Sequence, residues 1–193
     1  MQRRSILQLG VAGALASGLP LPAFAKQGHR PRRLNRGDTV ALVAPASVTY
    51  ESLELQLALE TLDAMGLKAK VGDHVMDRFG YLAGTDEDRA ADINAAFADT
   101  RVDAVFALRG GWGASRVLPY LDFDVIRKNP KILLGYSDIT SLLNAIFAKT
   151  GLITFHGPNV MSRWNDFTHQ GMRRVLFEAR AEVYENPVIV DDD

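Results

Sequence analysis

The chain is 193 residues long, with 47% hydrophobic residues and a formal net charge of −1, as expected for a globular protein with one complete domain. Its basic residues form no stripe of the kind that binds nucleic acid, so nucleic acid is not an expected partner. It contains no cysteine, which excludes disulfides and cysteine-based metal sites.

Residues 1–25 have the three regions of a secretory signal peptide. Arg3 and Arg4 precede the uncharged stretch 6–22, and Ala23-Phe24-Ala25 forms a small-x-small cleavage site. The paired arginines resemble the bacterial twin-arginine export signal. A membrane anchor is the weaker alternative, because the Gly/Ala-rich stretch of about 17 residues is shorter than the ~20 of a spanning helix. We therefore expect a periplasmic or otherwise exported protein without stable membrane anchoring after cleavage, which moves the formal charge from −1 to −3.

The segment at residues 26–37 is polar and basic and contains Pro31, which predicts a linker before an ordered domain that begins at Asp38. The domain opens with a short apolar run at residues 39–44. Pro45 closes this run, as expected for a buried parallel strand.

The rest of the domain, to about residue 180, alternates between helix and strand patterns. Apolar residues recur at helical spacing from Leu55 to Met65, and Gly66 ends that helix. Further strands are predicted at residues 68–71, 102–108, 132–136 and 152–155, and further helices at residues 86–99, 123–128, 139–149 and 168–180. This alternation predicts an α/β fold with a mostly parallel open sheet flanked by helices, of Rossmann-like or flavodoxin-like type.

Unusual residues follow four of the predicted strands. They are Pro-Ala-Ser at 45–47, Arg-Gly-Gly-Trp-Gly at 109–113, Ser137, and His-Gly-Pro at 156–158. Ligands of open α/β sheets bind beyond the carboxyl ends of the strands, so we expect these residues to form one crevice.

The loop at residues 109–113 joins a predicted strand to a helix. Its glycines let backbone N–H groups approach a ligand, which fits an oxyanion hole, whereas its spacing matches neither common phosphate-loop motif. A tight turn with no ligand is the alternative. Arg109 is a candidate partner for a substrate carboxylate, or is solvated or paired internally. Trp112 either walls the pocket or covers the sheet edge.

Ser137 lies between a predicted strand and the predicted helix at residues 139–149. A serine in that turn is presented at the carboxyl edge beside a helix N-terminus that stabilises a developing oxyanion, as in acyl-transfer enzymes. The alternative is that Ser137 or Asp138 simply caps the helix. Residues 135–139 match only the first half of the G-x-S-x-G elbow, so this motif alone leaves both interpretations open.

His156 ends the strand after the one that delivers Ser137, which makes it a candidate general base. A turn histidine satisfied by backbone groups is the alternative. His29, His74 and His169 are expected at surface or linker positions. We find no motif for a metal or a cofactor and expect neither.

Four motifs occur together in a fixed order and spacing. They are Ala-Pro-Ala-Ser at 44–47, Arg-Gly-Gly-Trp-Gly at 109–113, Gly-Tyr-Ser-Asp-Ile-Thr at 135–140 and Phe-His-Gly-Pro at 155–158. In this arrangement the chain resembles the LD-carboxypeptidase (muramoyltetrapeptide carboxypeptidase) family of serine peptidases over about residues 34–164. Four motifs in the same order and spacing indicate a family far more specifically than any one of them does.

The resemblance implies a catalytic role for two motifs. Ser137 would be the nucleophile, and the backbone N–H groups of Asp138 and Gly111 would form the oxyanion hole. The candidate substrate contacts are Arg109, Gly110 and Trp112. Enzymes of this family remove the terminal D-alanine from peptidoglycan tetrapeptides without a metal, so the expected partners are peptidoglycan-derived peptides. A homodimer is left open.

Family members also have a C-terminal domain that supplies the Glu and His of a Ser-His-Glu triad. The sequence ends at Asp193, about where that domain is expected to start, so residues 181–193 are predicted as a tail at the expected start of that domain. The sequence is then either a fragment of a longer gene product or a truncated relative. Serine is weakly nucleophilic without a base, and loss of triad members lowers turnover by orders of magnitude. The chain by itself is therefore expected to be poorly active or inert.

Two other functions are left open. The resemblance also allows a peptidase that cleaves peptide-nucleotide antibiotics, whose pocket would select a nucleotide. A non-catalytic module could instead hold muropeptides in the same crevice, and it would form no covalent adduct at Ser137.

Overall fold

The computed structural model describes residues 28–181. The predicted signal peptide at residues 1–25, and all but the first residue of the predicted tail at 181–193, lie outside the described residues. Within the described part of the chain, no helix has the length and apolar character needed to cross a membrane.

A parallel sheet of five strands lies at the centre of the described chain, in the order β2-β1-β3-β4-β5. The strands are β1 (Thr39–Val43), β2 (Lys68–Val71), β3 (Ala104–Ala107), β4 (Ile132–Gly135) and β5 (Phe155–His156). Leu42 pairs with Phe106, which pairs with Leu134, so β1, β3 and β4 finish at a common carboxyl edge. The predicted parallel α/β fold is confirmed.

Helices connect the strands. They are α1 (Ser52–Ala64), α2 (Asp86–Ala98), α3 (Phe123–Lys128), α4 (Thr140–Thr150) and α5 (Asp166–Leu176). Two 3₁₀ segments, Ala114–Tyr120 and Ser137–Ile139, follow β3 and β4 respectively. The first of these segments had not been predicted as helical.

Each face of the sheet has its own core, because alternate strand residues point to opposite faces. On one face the strands pack against α1 and α5 through Val40, Leu42, Phe106, Leu62 and Leu176. On the other they pack against α2 and α4 through Val43, Val105, Ile93, Phe97 and Ile146. Burial on both faces explains why β1, β3 and β4 are nearly continuous apolar runs in the sequence.

The last strand is shorter than the strand predicted at residues 152–155, and it ends one residue later. Only Phe155–His156 pairs with β4. Leu152 instead forms an isolated bridge with His29, and the N–H of Ile153 donates to His29 O (3.0 Å). The apolar run at residues 152–155 therefore has two pairing partners. Its first half lies along the segment that precedes β1, and its end pairs with β4.

That N-terminal segment packs on the domain although residues 30–37 contain no helix or strand. Leu34 is 1% exposed, and its N–H donates to Leu176 O at the end of α5 (2.8 Å). Arg32 donates to the carboxylates of Asp38 and Asp103 (3.1 and 2.6 Å). Packing against the domain therefore begins before the predicted start at Asp38.

The bounds of α5 also differ from the helix predicted at residues 168–180. The helix starts earlier because the Asn165 side chain caps it, accepting the N–H of Thr168 (2.8 Å). It ends earlier because the backbone turns away after Leu176, and Ala179 has a left-handed φ of +52°.

Candidate active site

The carboxyl edge of the sheet brings the four motifs together. Gly135 at the end of β4 pairs with His156 at the end of β5. The N–H of Ser47 donates to Gly110 O (3.4 Å), which joins the turn after β1 to the loop after β3. A Cβ built on Gly110 would lie only 3.2 Å from Ser137 Cβ. The predicted convergence at one sheet edge is confirmed, but the predicted single crevice is not, because the His-Gly-Pro motif at 156–158 lines a different cavity from Ser137.

The backbone of Ser137 has the geometry of a nucleophile elbow. Its φ is +62°, a left-handed value that only one other non-glycine residue, Ala179, shares in the described chain. Such a conformation costs on the order of 1–3 kcal/mol and persists only where the surrounding structure imposes it. The turn leaves Ser137 exposed at the sheet edge, and its Oγ forms no hydrogen bond with any residue of 28–181.

Gly135 explains how the elbow forms without the second glycine of the G-x-S-x-G motif. A Cβ at this position would lie 2.7 Å from Ile139 Cγ2 and 3.0 Å from Asn159 Oδ1. Ile139 is fully buried and packs directly on Gly135. The tight turn therefore depends on a glycine before the serine, while an isoleucine occupies the place of the second glycine.

Neither Ser137 nor Asp138 caps the helix with its side chain, so the capping alternative is wrong. Asp138 Oδ2 instead accepts the N–H of Ala114 (2.7 Å). Ala114 is the first residue of the 3₁₀ segment that follows residues 109–113, the glycine loop. This hydrogen bond links the turn at residues 136–138, the serine turn, to the glycine loop. The N–H of Asp138 lies in the first turn of a 3₁₀ helix, where backbone donors lack intrahelical acceptors.

The glycine loop comes very close to the turn after β1. Gly111 has a φ of +129°, and a Cβ at this position would overlap Ser47 Oγ. Ser47 Oγ accepts the N–H of Trp112 (3.4 Å). Among the hydrogen bonds of residues 28–181, none uses the N–H of Gly110 or Gly111. Both donors are available to a ligand at the sheet edge.

A cavity of about 280 Å³ opens at this edge beside Ser137. It is lined by Arg109, Gly110, Gly111, Tyr136, Ser137, Asn159, Met161 and Ser162. The lining contains four of the predicted site residues and no histidine or carboxylate side chain.

Arg109 and Trp112 differ in their relation to the cavity. Arg109 lines it, and its Nη1 donates to Val48 O (3.1 Å) and lies 3.8 Å from Glu54 Oε1, so the guanidinium is paired internally. Trp112 lies outside the lining, is 67% exposed, and stacks against Tyr81 with the ring centroids 5.4 Å apart. Contact of either residue with a substrate stays a prediction.

His156 is not brought into a pair with Ser137. It lines a separate, largely apolar cavity of about 390 Å³ between β5 and α5. Its ring stands edge-on to Tyr136 with the centroids 6.4 Å apart, and no hydrogen bond joins it to Ser137 in the described structure. The arrangement gives no support to His156 as the base.

Asn159 is a cavity residue that the sequence analysis missed. It is 4% exposed, and its Oδ1 accepts the N–H of Tyr136 (3.2 Å). It directly follows the Phe-His-Gly-Pro motif at 155–158, and an amide next to a motif at a strand end was the available signal.

Arg89 was missed as well. It is 2% exposed and donates to Pro45 O and Gly113 O (3.1 Å to the latter) while pairing with Asp86. Burial lowers the pKa of Arg89, and the carboxylate of Asp86 opposes that effect. The buried guanidinium thus links the turn after β1 to the glycine loop by donating to one carbonyl group in each.

One group of side chains in residues 28–181 has its ligand atoms close enough to hold a metal ion. His74, Asp77 and Asp88 offer atoms within 4.8 Å of one another, at the connection between β2 and α2. His74 Nδ1 lies 2.7 Å from Asp77 Oδ2, and this hydrogen bond raises the pKa of His74. None of the three lines the cavity beside Ser137.

Comparison with known proteins agrees with this geometry. The family model for the LD-carboxypeptidase N-terminal domain matches residues 40–157. The probable murein peptide carboxypeptidase of Bacillus subtilis is 48% identical over 130 residues, covering 67% of this chain and 40% of the relative. The murein tetrapeptide carboxypeptidase of Pseudomonas aeruginosa is 42% identical over 120 residues, covering 62% of this chain and 38% of the relative.

A third relative is the Microcin C7 self-immunity protein MccF of Escherichia coli, which is 34% identical over 157 residues, covering 77% of this chain and 45% of the relative. A solved apo structure of MccF superposes with a TM-score of 0.74 at 30% identity, covering 81% of this chain and 50% of that one. The chain spans less than half the length of these curated relatives.

Proposed function

The chain belongs to the LD-carboxypeptidase family, and we propose that it carries the nucleophile of an exported, metal-independent serine carboxypeptidase that acts on peptidoglycan peptides. The observation that supports this most is the left-handed backbone of Ser137 beside two unpaired glycine N–H groups. A strained serine at a strand-to-helix turn, next to free backbone donors, is what acyl transfer requires.

In this mechanism Ser137 Oγ attacks the carbonyl carbon of the bond that joins the terminal D-alanine to the peptide. The carbonyl oxygen takes the negative charge and accepts hydrogen bonds from the N–H groups of Asp138 and Gly111. Collapse of the intermediate breaks the C–N bond, and the amine of D-alanine leaves with a proton. Water then hydrolyses the acyl-enzyme ester, which releases the tripeptide and restores Ser137.

The proton of Ser137 must pass to a general base before it reaches the leaving amine. No imidazole or carboxylate lines the cavity among residues 28–181. We therefore place the base outside the described residues, in agreement with the histidine and glutamate that the family resemblance implies.

We propose a muramoyl tetrapeptide as the substrate and Arg109 as the partner of its terminal carboxylate. A relative named murein tetrapeptide carboxypeptidase supports the peptide, and the position of Arg109 in the cavity wall supports the contact. An arginine offers a planar set of donors that matches a carboxylate, and the internal contacts of Arg109 with Val48 and Glu54 both use Nη1 alone. A peptide-nucleotide antibiotic is the second candidate, because one relative is named a Microcin C7 self-immunity protein.

The test is release of D-alanine by the protein at its full natural length, followed by mass spectrometry of the tetrapeptide-to-tripeptide conversion. We expect Ser137→Ala to lower turnover by at least about 10³-fold, because the nucleophile is lost. Ser115→Ala, an exposed serine after the glycine loop, is the matched control and should keep full activity.

Full activity of the Ser137→Ala protein would exclude Ser137 as the nucleophile. Binding of the tetrapeptide by the unaltered protein without turnover or a covalent adduct would instead favour a non-catalytic muropeptide module. Turnover of a peptide-nucleotide conjugate but not of the tetrapeptide would favour the second candidate substrate.

A further inference from the structure

The side chain of Asn159 is rigidly held behind the serine turn. The segment that follows it continues the pairing of β3, because the N–H groups of Val160 and Met161 donate to Ala107 O and Leu108 O (both 3.1 Å). The side chain of Asn159 is therefore positioned by the sheet itself rather than by a free loop.

The hydrogen bond to Tyr136 fixes the orientation of the Asn159 amide. Because Tyr136 contributes an N–H, the atom of Asn159 that lies 3.2 Å from it must be the acceptor Oδ1. A Cβ on Gly135 would lie 3.0 Å from that oxygen, and a Cβ on Gly110 would lie 3.4 Å from Nδ2. Two glycines at the ends of β4 and β3 thus make room for the two ends of one amide.

The Nδ2 group has two N–H donors and no acceptor among residues 28–181, although Asn159 is 4% exposed. Within residues 28–181, the buried side-chain polar atoms without a partner are His29 Nε2 and Thr49 Oγ1, so Asn159 Nδ2 is itself accessible although the residue as a whole is buried. Asn159 lines the cavity beside Ser137, so the space that its donors can reach is that cavity.

Ser137 Oγ and Asn159 Nδ2 both lie near Gly110 in the wall of this cavity. The position of a Cβ built on Gly110 lies 3.5 Å from Ser137 Oγ and 3.4 Å from Asn159 Nδ2. Both atoms therefore adjoin the backbone of the glycine loop, where the carbonyl group of a bound peptide must lie if Ser137 attacks it.

We propose that Asn159 is a catalytic residue whose Nδ2 donates a hydrogen bond to the oxyanion, in addition to the backbone donors of Asp138 and Gly111. The inference rests on the acyl-transfer function proposed above. As the bond between Ser137 Oγ and the carbonyl carbon forms, the π electrons move to the oxygen, and Nδ2–H stabilises that charge without transferring its proton. When the C–N bond breaks, the carbonyl re-forms and this hydrogen bond weakens.

Two variants test the loss of the Nδ2 donor separately from any effect on folding. Asn159→Asp keeps an oxygen that accepts the N–H of Tyr136 but removes the donor, and Asn159→Ala removes both. Asn144→Ala, on the exposed side of α4, is the matched control. Thermal unfolding followed by circular dichroism identifies which variants are folded.

In the full-length protein with muramoyl tetrapeptide, we expect kcat to fall about 10²–10³-fold in Asn159→Asp and Asn159→Ala, with KM changed by less than about 3-fold. A peptide phosphonate ending in D-alanine, whose anionic tetrahedral phosphorus resembles the intermediate, should lose affinity in Asn159→Ala by a similar factor in calorimetry. The tripeptide product should bind these variants as it binds the unaltered protein.

An unchanged kcat in a folded Asn159 variant would overturn the proposal, as would a rise in KM alone, because a ground-state contact affects binding rather than the chemical step. These results leave the proposed function intact, since the unaltered protein still releases D-alanine. Absence of turnover in the unaltered protein would instead reject the proposed function, and this inference with it.

Discussion

Gly111 is the residue at which the glycine loop comes closest to the turn after β1. Its left-handed φ and its contact with Ser47 Oγ are separate constraints, since one concerns the backbone and the other the space for a side chain. Gly37 has a similar left-handed φ of +89° but has nothing within 4 Å of a built Cβ. Substitutions at Gly37 and Gly111 can therefore separate the free-energy cost of the left-handed backbone from the cost of side-chain overlap.

We predict that Gly37→Ala destabilises the protein by about 1–2 kcal/mol, the cost of a left-handed alanine. Gly111→Ala should cost about 2–5 kcal/mol, because overpacking against Ser47 adds to the backbone term. The measurement is urea denaturation of each variant. Adding Ser47→Gly to Gly111→Ala should restore only the part of the unfolding free energy that is lost to overpacking. If Gly37→Ala and Gly111→Ala lose the same unfolding free energy, the overlap with Ser47 is relieved at no cost.

Local patterns explain which site residues could be predicted from the sequence. Ser137 was found because an apolar strand, a short turn and an amphipathic helix are contiguous in the chain. Asn159 was missed because its orientation depends on Tyr136, which is 23 residues away. The role of Arg89 depends on Pro45, 44 residues away, and nothing in its own acidic helix turn indicates that partner.

At the scale of elements, Arg89 connects loops that belong to different strands. It projects from the first turn of α2 to the carbonyl oxygens of Pro45 and Gly113, at the ends of β1 and β3. Both carbonyl groups would lose a partner if the guanidinium were removed. The guanidinium of Arg116 pairs with the same Asp86 from the surface and reaches neither carbonyl, while the backbone N–H of Arg116 donates to Gly113 O (3.1 Å).

We predict that Arg89→Met lowers the free energy of unfolding by about 2–4 kcal/mol, because it leaves Pro45 O without its donor, removes one of the two donors to Gly113 O and takes the buried cation away from Asp86. Arg116→Met is the control and should change stability little, since exposed ion pairs contribute weakly. Guanidinium denaturation of both variants provides the measurement. A similar loss in the two variants would mean that the ion pairs with Asp86, rather than the buried carbonyl contacts, determine the effect.

The types of the elements were predictable, but some of their ends were not. Periodicity is local, and it located β1 to β4 and the five α-helices, whereas the last predicted strand overlaps β5 only at Phe155. The start of β5 was misplaced because Leu152 bridges to His29, a residue that lies before β1 and far from Leu152 in the sequence. The start of α5 depends on the Asn165 side chain, which apolar periodicity does not include.

At the scale of the whole molecule, the proposed location concerns residues outside the described structure. The twin arginines and the Ala-Phe-Ala site at residues 23–25 support export, and the absence of cysteine is compatible with a chain that folds before it leaves the cytoplasm. The segment just after the predicted cleavage site is packed on the domain, from His29 onward.

We predict that replacing Arg3 and Arg4 by lysine retains the precursor in the cytoplasm, because the twin-arginine route recognises the arginine pair. Replacing Arg173 and Arg174 of α5 by lysine is the matched control and should leave export unchanged. Cell fractionation with immunoblotting for precursor and mature forms gives the result. Unchanged export of the first variant would point to another route.

The hydrogen bond between Asp138 and Ala114 has a further consequence for how the site meets its ligand. It fixes the spacing between the serine turn and the glycine loop through a contact made entirely within the protein. The two backbone donors are therefore preorganised, and little reorganisation is needed when charge develops on the carbonyl oxygen. In the proposed mechanism, the carboxylate of Asp138 therefore acts as a spacer that sets the distance between the proposed nucleophile and the glycine loop, while proton transfer is left to another group.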